Sequence, residues 1–236
     1  HSDYQGGWVE LGFAMNAAGD KAGALAAIER ALALDPHHLY TRQAQCEVLV
    51  SLQRWTDTLA AVEAARAACG SSFDPWKLMA SETAATVATL GAGAAMEVLS
   101  KALAATEKPD TSSVVESAEG ILSTELQLRG PAATARALGE LRATLARHGQ
   151  EAVLADVFTG FVSKALGQSD AGSAQWAEAL PMFGSAVEGS ADCRLPLEML
   201  SVGTRYRREG DETILLTLPL EQRELLREWL GPDKAS

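Results

Sequence analysis

The chain has 236 residues, of which 47% are hydrophobic and 6% are aromatic. It carries 31 acidic against 20 basic residues, and the net charge of -11 argues against a nucleic-acid ligand, because a phosphate backbone would repel such a surface. No apolar stretch reaches the roughly 20 residues of a membrane span, and abundant Ala and Leu favour helix over sheet. Composition therefore predicts one mostly helical protein without a membrane span.

Two apolar stripes at helical spacing occupy residues 5–38: Trp8, Leu11 and Met15, then Ala24, Ile28 and Ala31. Gly12 removes the side chain where the second helix must come close, and Pro36 ends that helix. We expect Trp8 and Leu11 to be buried between this helix pair and the next one.

This pattern resembles a tetratricopeptide repeat, a pair of antiparallel helices that buries its apolar face only by stacking on neighbouring repeats. The resemblance covers all the consensus positions of residues 5–38 and part of those in 39–72, and it is degenerate beyond. In the second unit Arg42 and Gln45 replace apolar residues of the first helix. Either sequence drift or a packing edge used to bind a partner explains these two polar residues. The second helix keeps the expected large and small residues Trp55, Thr58, Val62 and Ala65.

Helical segments alternate with short breaks to about residue 189. A third pair is predicted over 76–90 and 92–105, a fourth over 112–128 and the helix opened by Gly130-Pro131, and a fifth over 150–167 and 172–188. The large and small spacing of the second unit recurs at Trp176, Ala179, Phe183 and Ala186. The resemblance thus implies an all-α fold, a right-handed α-solenoid of about five stacked antiparallel helix pairs.

The residues after 189 have a different pattern. A helix is predicted over 195–206, and the β-branched and leucine-rich run 213–218 is interpreted as a strand or an extended connector. An amphipathic helix is predicted over 220–230, with Leu225, Leu226, Trp229 and Leu230 on its apolar side. We interpret this segment as an irregular cap that closes the core, with a dedicated docking helix as the alternative.

The predicted organisation is one continuous solenoid domain with two tetratricopeptide units over 4–72, degenerate helix pairs over 73–189, a capping segment over 190–231 and a tail over 232–236. His1-Ser2 does not resemble a natural start, so we expect the chain to be a segment of a longer protein. Three cysteines far apart, Cys46, Cys69 and Cys193, are interpreted as small core residues in a reducing compartment, which indicates a cytoplasmic location.

The sequence lacks the motifs of common catalytic sites. It has no phosphate-binding loop, no paired-histidine zinc helix and no nucleophile elbow around a serine. His37-His38 follows Pro36 on an expected loop without nearby Cys or acidic ligands, so we interpret this pair as exposed polar residues. We therefore predict that the segment is not an enzyme and that it holds no metal and no cofactor.

The resemblance implies a concave groove lined by the first helix of each pair, where an extended peptide or a partner helix binds. Carried onto the two matching units, the groove positions are Val9, Phe13, Asn16, Tyr40, Gln43, Glu47 and Val50. Packing against a neighbouring helix is the alternative role for Val9 and Phe13. The clamp that some members use for acidic carboxyl termini is absent, because Val9, Phe13 and Ala44 hold its places.

Two functions agree with these observations. The first is a protein-protein interaction scaffold or adaptor that binds a partner peptide or helix in the groove. The alternative is a ligand-sensing or regulatory segment of a larger multidomain protein, such as a nucleotide-hydrolysing enzyme or a protease. In both cases the expected partner is another protein or peptide, not nucleic acid and not a membrane.

Overall fold

The computed structural model describes residues 4–168 and 170–231, and no strand occurs in that part of the chain. His1-Ser2 and the predicted tail over 232–236 lie outside the described residues. The α-helices are α1 (Gln5–Ala17), α2 (Lys21–Leu34), α3 (Leu39–Ser51), α4 (Trp55–Cys69), α5 (Met79–Leu90), α6 (Ala92–Ala105), α7 (Thr111–Arg129), α8 (Pro131–Arg147), α9 (Val153–Leu166), α10 (Ala174–Ala186), α11 (Arg194–Glu209) and α12 (Leu220–Leu230). Short 3-10 helices lie at Gly70–Ser72, Pro75–Lys77 and Glu212–Thr217.

The chain divides into an N-terminal and a C-terminal unit, with the boundary between Gly120 and Ile121 inside α7. In the N-terminal unit each helix from α1 to α5 packs on the next one along the chain. In the C-terminal unit α8 packs on α10, α9 on α11, and α12 on both α9 and α11. The all-α prediction is confirmed for the described residues, and packing between neighbouring helices is compatible with a helical repeat.

Local sequence signals set the helix boundaries. The Asp20 carboxylate accepts a hydrogen bond from Gly23 N over 2.9 Å at the start of α2. Asp110 accepts from Ser113 N over 3.0 Å before α7, and its bonds to Ser112 and Ser113 lower the pKa of its carboxyl group. Gly130 has φ of +78°, a value open to glycine at little cost, and Pro131 then occupies the first turn of α8.

The core of the N-terminal unit includes Val9 and Gly12 of α1 but not Leu11. Leu11 is 45% exposed and Trp8 is half-buried, so the expected burial of both between the first two helix pairs is wrong. Trp8 packs on the edge of the core, and together with Leu11 it lines an open cleft near Tyr4. Of the apolar stripe identified by helical spacing, Trp8 and Met15 pack on the core and Leu11 does not.

The core of the C-terminal unit is built around four buried aromatic residues. The ring of Phe183 lies 5.9 Å from Trp176, 5.8 Å from Phe161 and 6.2 Å from Phe158, measured between ring centroids. All four side chains are at most 1% exposed. These stacked rings join α9 to α10.

The predicted strand or extended connector over 213–218 is wrong, because a 3-10 helix spans Glu212–Thr217. The Asp211 carboxylate accepts a hydrogen bond from Thr213 N over 2.9 Å and so begins the turn. Ile214 and Leu215 are buried, and α12 follows over Leu220–Leu230 as predicted. On α12 Leu226 and Leu230 are buried, whereas Leu225 is 37% exposed.

The cysteines occupy different environments. Cys46 and Cys193 are buried, and burial raises the pKa of Cys46 to about 12. Cys69 is only half-buried and its thiol donates to the His37 carbonyl over 3.2 Å. The interpretation as small core residues therefore holds for Cys46 and Cys193 but not for Cys69.

Candidate functional site

The predicted groove residues lie on α1 and α3, which the structure ties together at both ends. Near the beginnings of the helices, Gln5 Nε2 donates to Thr41 Oγ1 over 2.9 Å. Near their ends, Ser51 Oγ donates to Asn16 Oδ1 over 3.1 Å. Because the beginnings of the two helices are joined to each other, and so are their ends, α1 and α3 run parallel. The helix α2 returns the chain between them.

An aromatic cluster bridges the two helices. The rings of Phe13 and Tyr40 lie 6.0 Å apart at an angle of 54°, within the range of favourable ring contacts. His38 adds an edge-on contact to Tyr40 at 6.4 Å, and its Nδ1 lies 2.9 Å from Thr41 Oγ1. Tyr40 nevertheless remains 49% exposed, so its ring offers a surface to a partner.

The polar part of the site lies further along α3. Gln43 Nε2 donates to Glu47 Oε1 over 2.8 Å, one helical turn away. Glu47 is exposed, whereas Gln43 and Val50 are half-buried. Residues at this spacing share one side of a helix, so α3 presents a tyrosine, an amide, a carboxylate and an aliphatic side chain in a row.

Val9 differs from the other six predicted groove residues because it is only 2% exposed. It belongs to the hydrophobic core of the N-terminal unit, which is the alternative role that the sequence left open for it. Phe13 also packs on this core but is only partly buried. We use the name α1–α3 face for the remaining six residues, Phe13, Asn16, Tyr40, Gln43, Glu47 and Val50.

Sequence reasoning missed two residues next to the α1–α3 face. His38 is an exposed loop residue, as predicted, but its ring also lies against Tyr40, a contact that the sequence did not indicate. Gln5 was not considered, although it links the two helices through Thr41. A polar residue at the first turn of α1 and a threonine 36 positions later, close to one repeat period, were the available signal for that link.

The α1–α3 face combines aromatic and aliphatic surface with amide and carboxylate groups. Within residues 4–168 and 170–231, no group of three or more His, Cys, Asp and Glu side chains is arranged to hold a metal ion. In the same residues no helix is both long and apolar enough to cross a membrane.

No protein-family model matches the chain, and no curated protein sequence is similar to it. The resemblance to tetratricopeptide repeats therefore depends only on the residues named in the sequence analysis. One of these residues, Gly12, is buried on α1 next to Ile28 of α2.

Proposed function

We propose that the protein is an interaction scaffold or adaptor that binds a partner peptide or helix on the α1–α3 face. The observation that carries the proposal is Tyr40, which is 49% exposed although its ring contacts Phe13 and His38. An aromatic side chain held in place by its neighbours loses little freedom on binding, and such residues dominate the energy of protein interfaces.

At the level of the fold, we propose a tetratricopeptide-like, right-handed α-solenoid of cytoplasmic location without enzymatic activity. The parallel course of α1 and α3 supports the repeat arrangement. The residues joined between them are 36 and 35 positions apart, close to the roughly 34-residue period of that repeat. In stacked helix pairs, the first helices of neighbouring pairs run parallel and one return helix separates them along the chain.

The partner that fits this face carries apolar side chains and a basic residue. Phe13, Tyr40 and Val50 supply apolar contact area, and the Glu47 carboxylate is the exposed charge of the α1–α3 face. An acidic tail would be repelled by Glu47 and by the net charge of -11. A short basic and apolar peptide or helix is therefore the proposed ligand class.

The experiment is capture of partners from the native lysate by the parent chain and by a variant carrying Tyr40→Ala, Gln43→Ala and Glu47→Ala. A matched control carries Glu29→Ala, Glu97→Ala and Lys101→Ala, which alter exposed residues of α2 and α6. We expect the control to capture the same proteins as the parent. The site variant should bind a captured partner at least about 30-fold more weakly, the loss expected for a hot-spot residue.

A crosslink distinguishes this face from the rest of the surface. A photoreactive amino acid in place of Tyr40 should crosslink to the captured partner, whereas the same group in place of Glu97 should not. Circular dichroism must show that both triple variants are folded. Unchanged capture by the folded site variant would contradict the proposal and place the interaction elsewhere.

A further inference from the structure

A polar cleft of about 450 Å³ lies in the C-terminal unit, beside α8, the start of α9 and the loop between α10 and α11. Its size falls within the range of about 300–1,000 Å³ that is typical of small-molecule sites. The charged side chains in its lining are Arg142 from α8, Glu151 before α9 and Asp192 before α11. The cleft shares no residue with the α1–α3 face, which belongs to the N-terminal unit.

Arg142 is held in a defined position at this cleft. Its Nη1 donates to the carbonyl oxygen of Ala186, the last residue of α10, over 3.2 Å. A methyl group on Gly189 would lie 3.7 Å from Nη2, so the loop passes beside the guanidinium. An arginine side chain has five N–H donors, and the bond to Ala186 uses one of them. The guanidinium thus retains donors for an anion in the cleft.

The two carboxylates of the cleft belong to solvent-exposed residues, Glu151 and Asp192. Among the described residues, neither Glu151 nor Asp192 forms an ion pair with Arg142. Charges of both signs therefore line one cleft from three separate elements, and their formal sum is -1. A ligand of matching charge has one carboxylate and two cationic groups.

We propose that this cleft binds a basic α-amino acid of the lysine type. The ligand carboxylate pairs with Arg142, whose planar fork suits a carboxylate. The α-ammonium and the side-chain ammonium group pair with Glu151 and Asp192. The ligand's charge of +1 then balances that of the cleft. This is a small-molecule site in the C-terminal unit, and it goes beyond the proposed function.

Isothermal titration of the full chain with four small molecules tests each charge in turn. L-Lysine carries all three groups, cadaverine lacks the carboxylate, 6-aminohexanoate lacks the α-ammonium and L-alanine lacks the side-chain ammonium. We expect saturable binding of L-lysine and at least about tenfold weaker binding of the other three, since each loses one charge-assisted contact. This series needs no variant and so cannot be confused by misfolding.

Variants then locate the site. Glu151→Gln and Asp192→Asn keep the shape of each side chain and remove its charge, so each should weaken L-lysine binding about tenfold or more. Glu140→Gln is the matched control, because Glu140 is an exposed residue of α8 that does not line the cleft. It should bind as the parent does. Absence of saturable L-lysine binding, equal binding of cadaverine, or unchanged binding by both folded cleft variants would each overturn the proposal.

Discussion

Gly12 of α1 and Ile28 of α2 are so close that no side chain fits between them. A methyl group on Gly12 would lie 2.7 Å from Ile28 Cδ1 and 3.3 Å from the Ala24 carbonyl oxygen. Both residues are buried, and Ile28 is fully so. This contact fixes how closely the first two helices approach, and it confirms the role that the sequence predicts for Gly12.

Gly12→Ala should lower the free energy of unfolding by about 1–2 kcal/mol. Overpacking a core costs about 1–3 kcal/mol, and the better helix propensity of alanine offsets up to about 1 kcal/mol of it. Gly93→Ala is the control, since Gly93 lies exposed on α6 with open space where its methyl group would be. That variant should be as stable as the parent or more so. Urea unfolding of both variants measures the difference, and equal stabilities would contradict the close packing of α1 on α2.

Much of the helix pattern could be predicted from the sequence, because its signals are local. The break at Gly91 and the proline at the start of α8 depend on the conformational limits of single residues. The prediction for 213–218 also relied on local signals, and it was wrong. Its β-branched residues favour a strand, but the bond from Thr213 N to Asp211 and the burial of Ile214 favour a 3-10 turn.

The arrangement of the candidate residues was predictable along one helix but not between helices. The spacing of Tyr40, Gln43 and Glu47 places them on one side of α3, and the i, i+4 bond of the last two follows from it. The contact of Tyr40 with Phe13, which lies 27 positions away, depends on how α1 and α3 pack. The cleft with Arg142 and Asp192 is lined by residues from separate elements, and no spacing in the sequence predicts it.

Arg207 of α11 should contribute far more to the free energy of unfolding than Arg205 on the same helix. Arg207 Nη2 donates to the carbonyl of Leu166 over 3.1 Å and also to that of Leu230, the last residues of α9 and α12. A cation is favourable at helix carboxyl ends, where carbonyl groups lack partners. Arg207→Ala should therefore cost about 2 kcal/mol or more.

The control is Arg205→Ala, which removes an exposed pair with Glu209 on the same helix. Such surface pairs contribute little, so the variant should unfold close to the parent. Thermal unfolding of the two variants gives the comparison. If Arg207→Ala instead unfolds like Arg205→Ala, close to the parent, the two helix ends do not depend on the Arg207 side chain.

Glu82 of α5 is a partly buried carboxylate beside Arg66 of α4. Arg66 Nη2 lies 3.3 Å from Glu82 Oε1, and the Arg66 guanidinium also lies 4.9 Å from the ring centroid of Phe73. Burial raises the pKa of Glu82, Arg66 opposes that rise, and Glu63 adds to it. The protonated form of Glu82 is thus favoured in the folded protein relative to the unfolded chain.

Glu82→Gln should therefore become more stable relative to the parent as the pH rises. A carboxyl group whose pKa is raised on folding contributes stability below its unfolded pKa, near pH 4, and loses that contribution as the pH increases through the folded pKa. Glutamine does not ionise and has no such loss. Urea unfolding of both proteins at pH 4, 5, 6 and 7 measures the difference, which should shift in favour of the variant as the pH rises from 4 through the folded pKa and then level off. A difference that instead moves in favour of the parent would show that pairing with Arg66 outweighs the burial of Glu82.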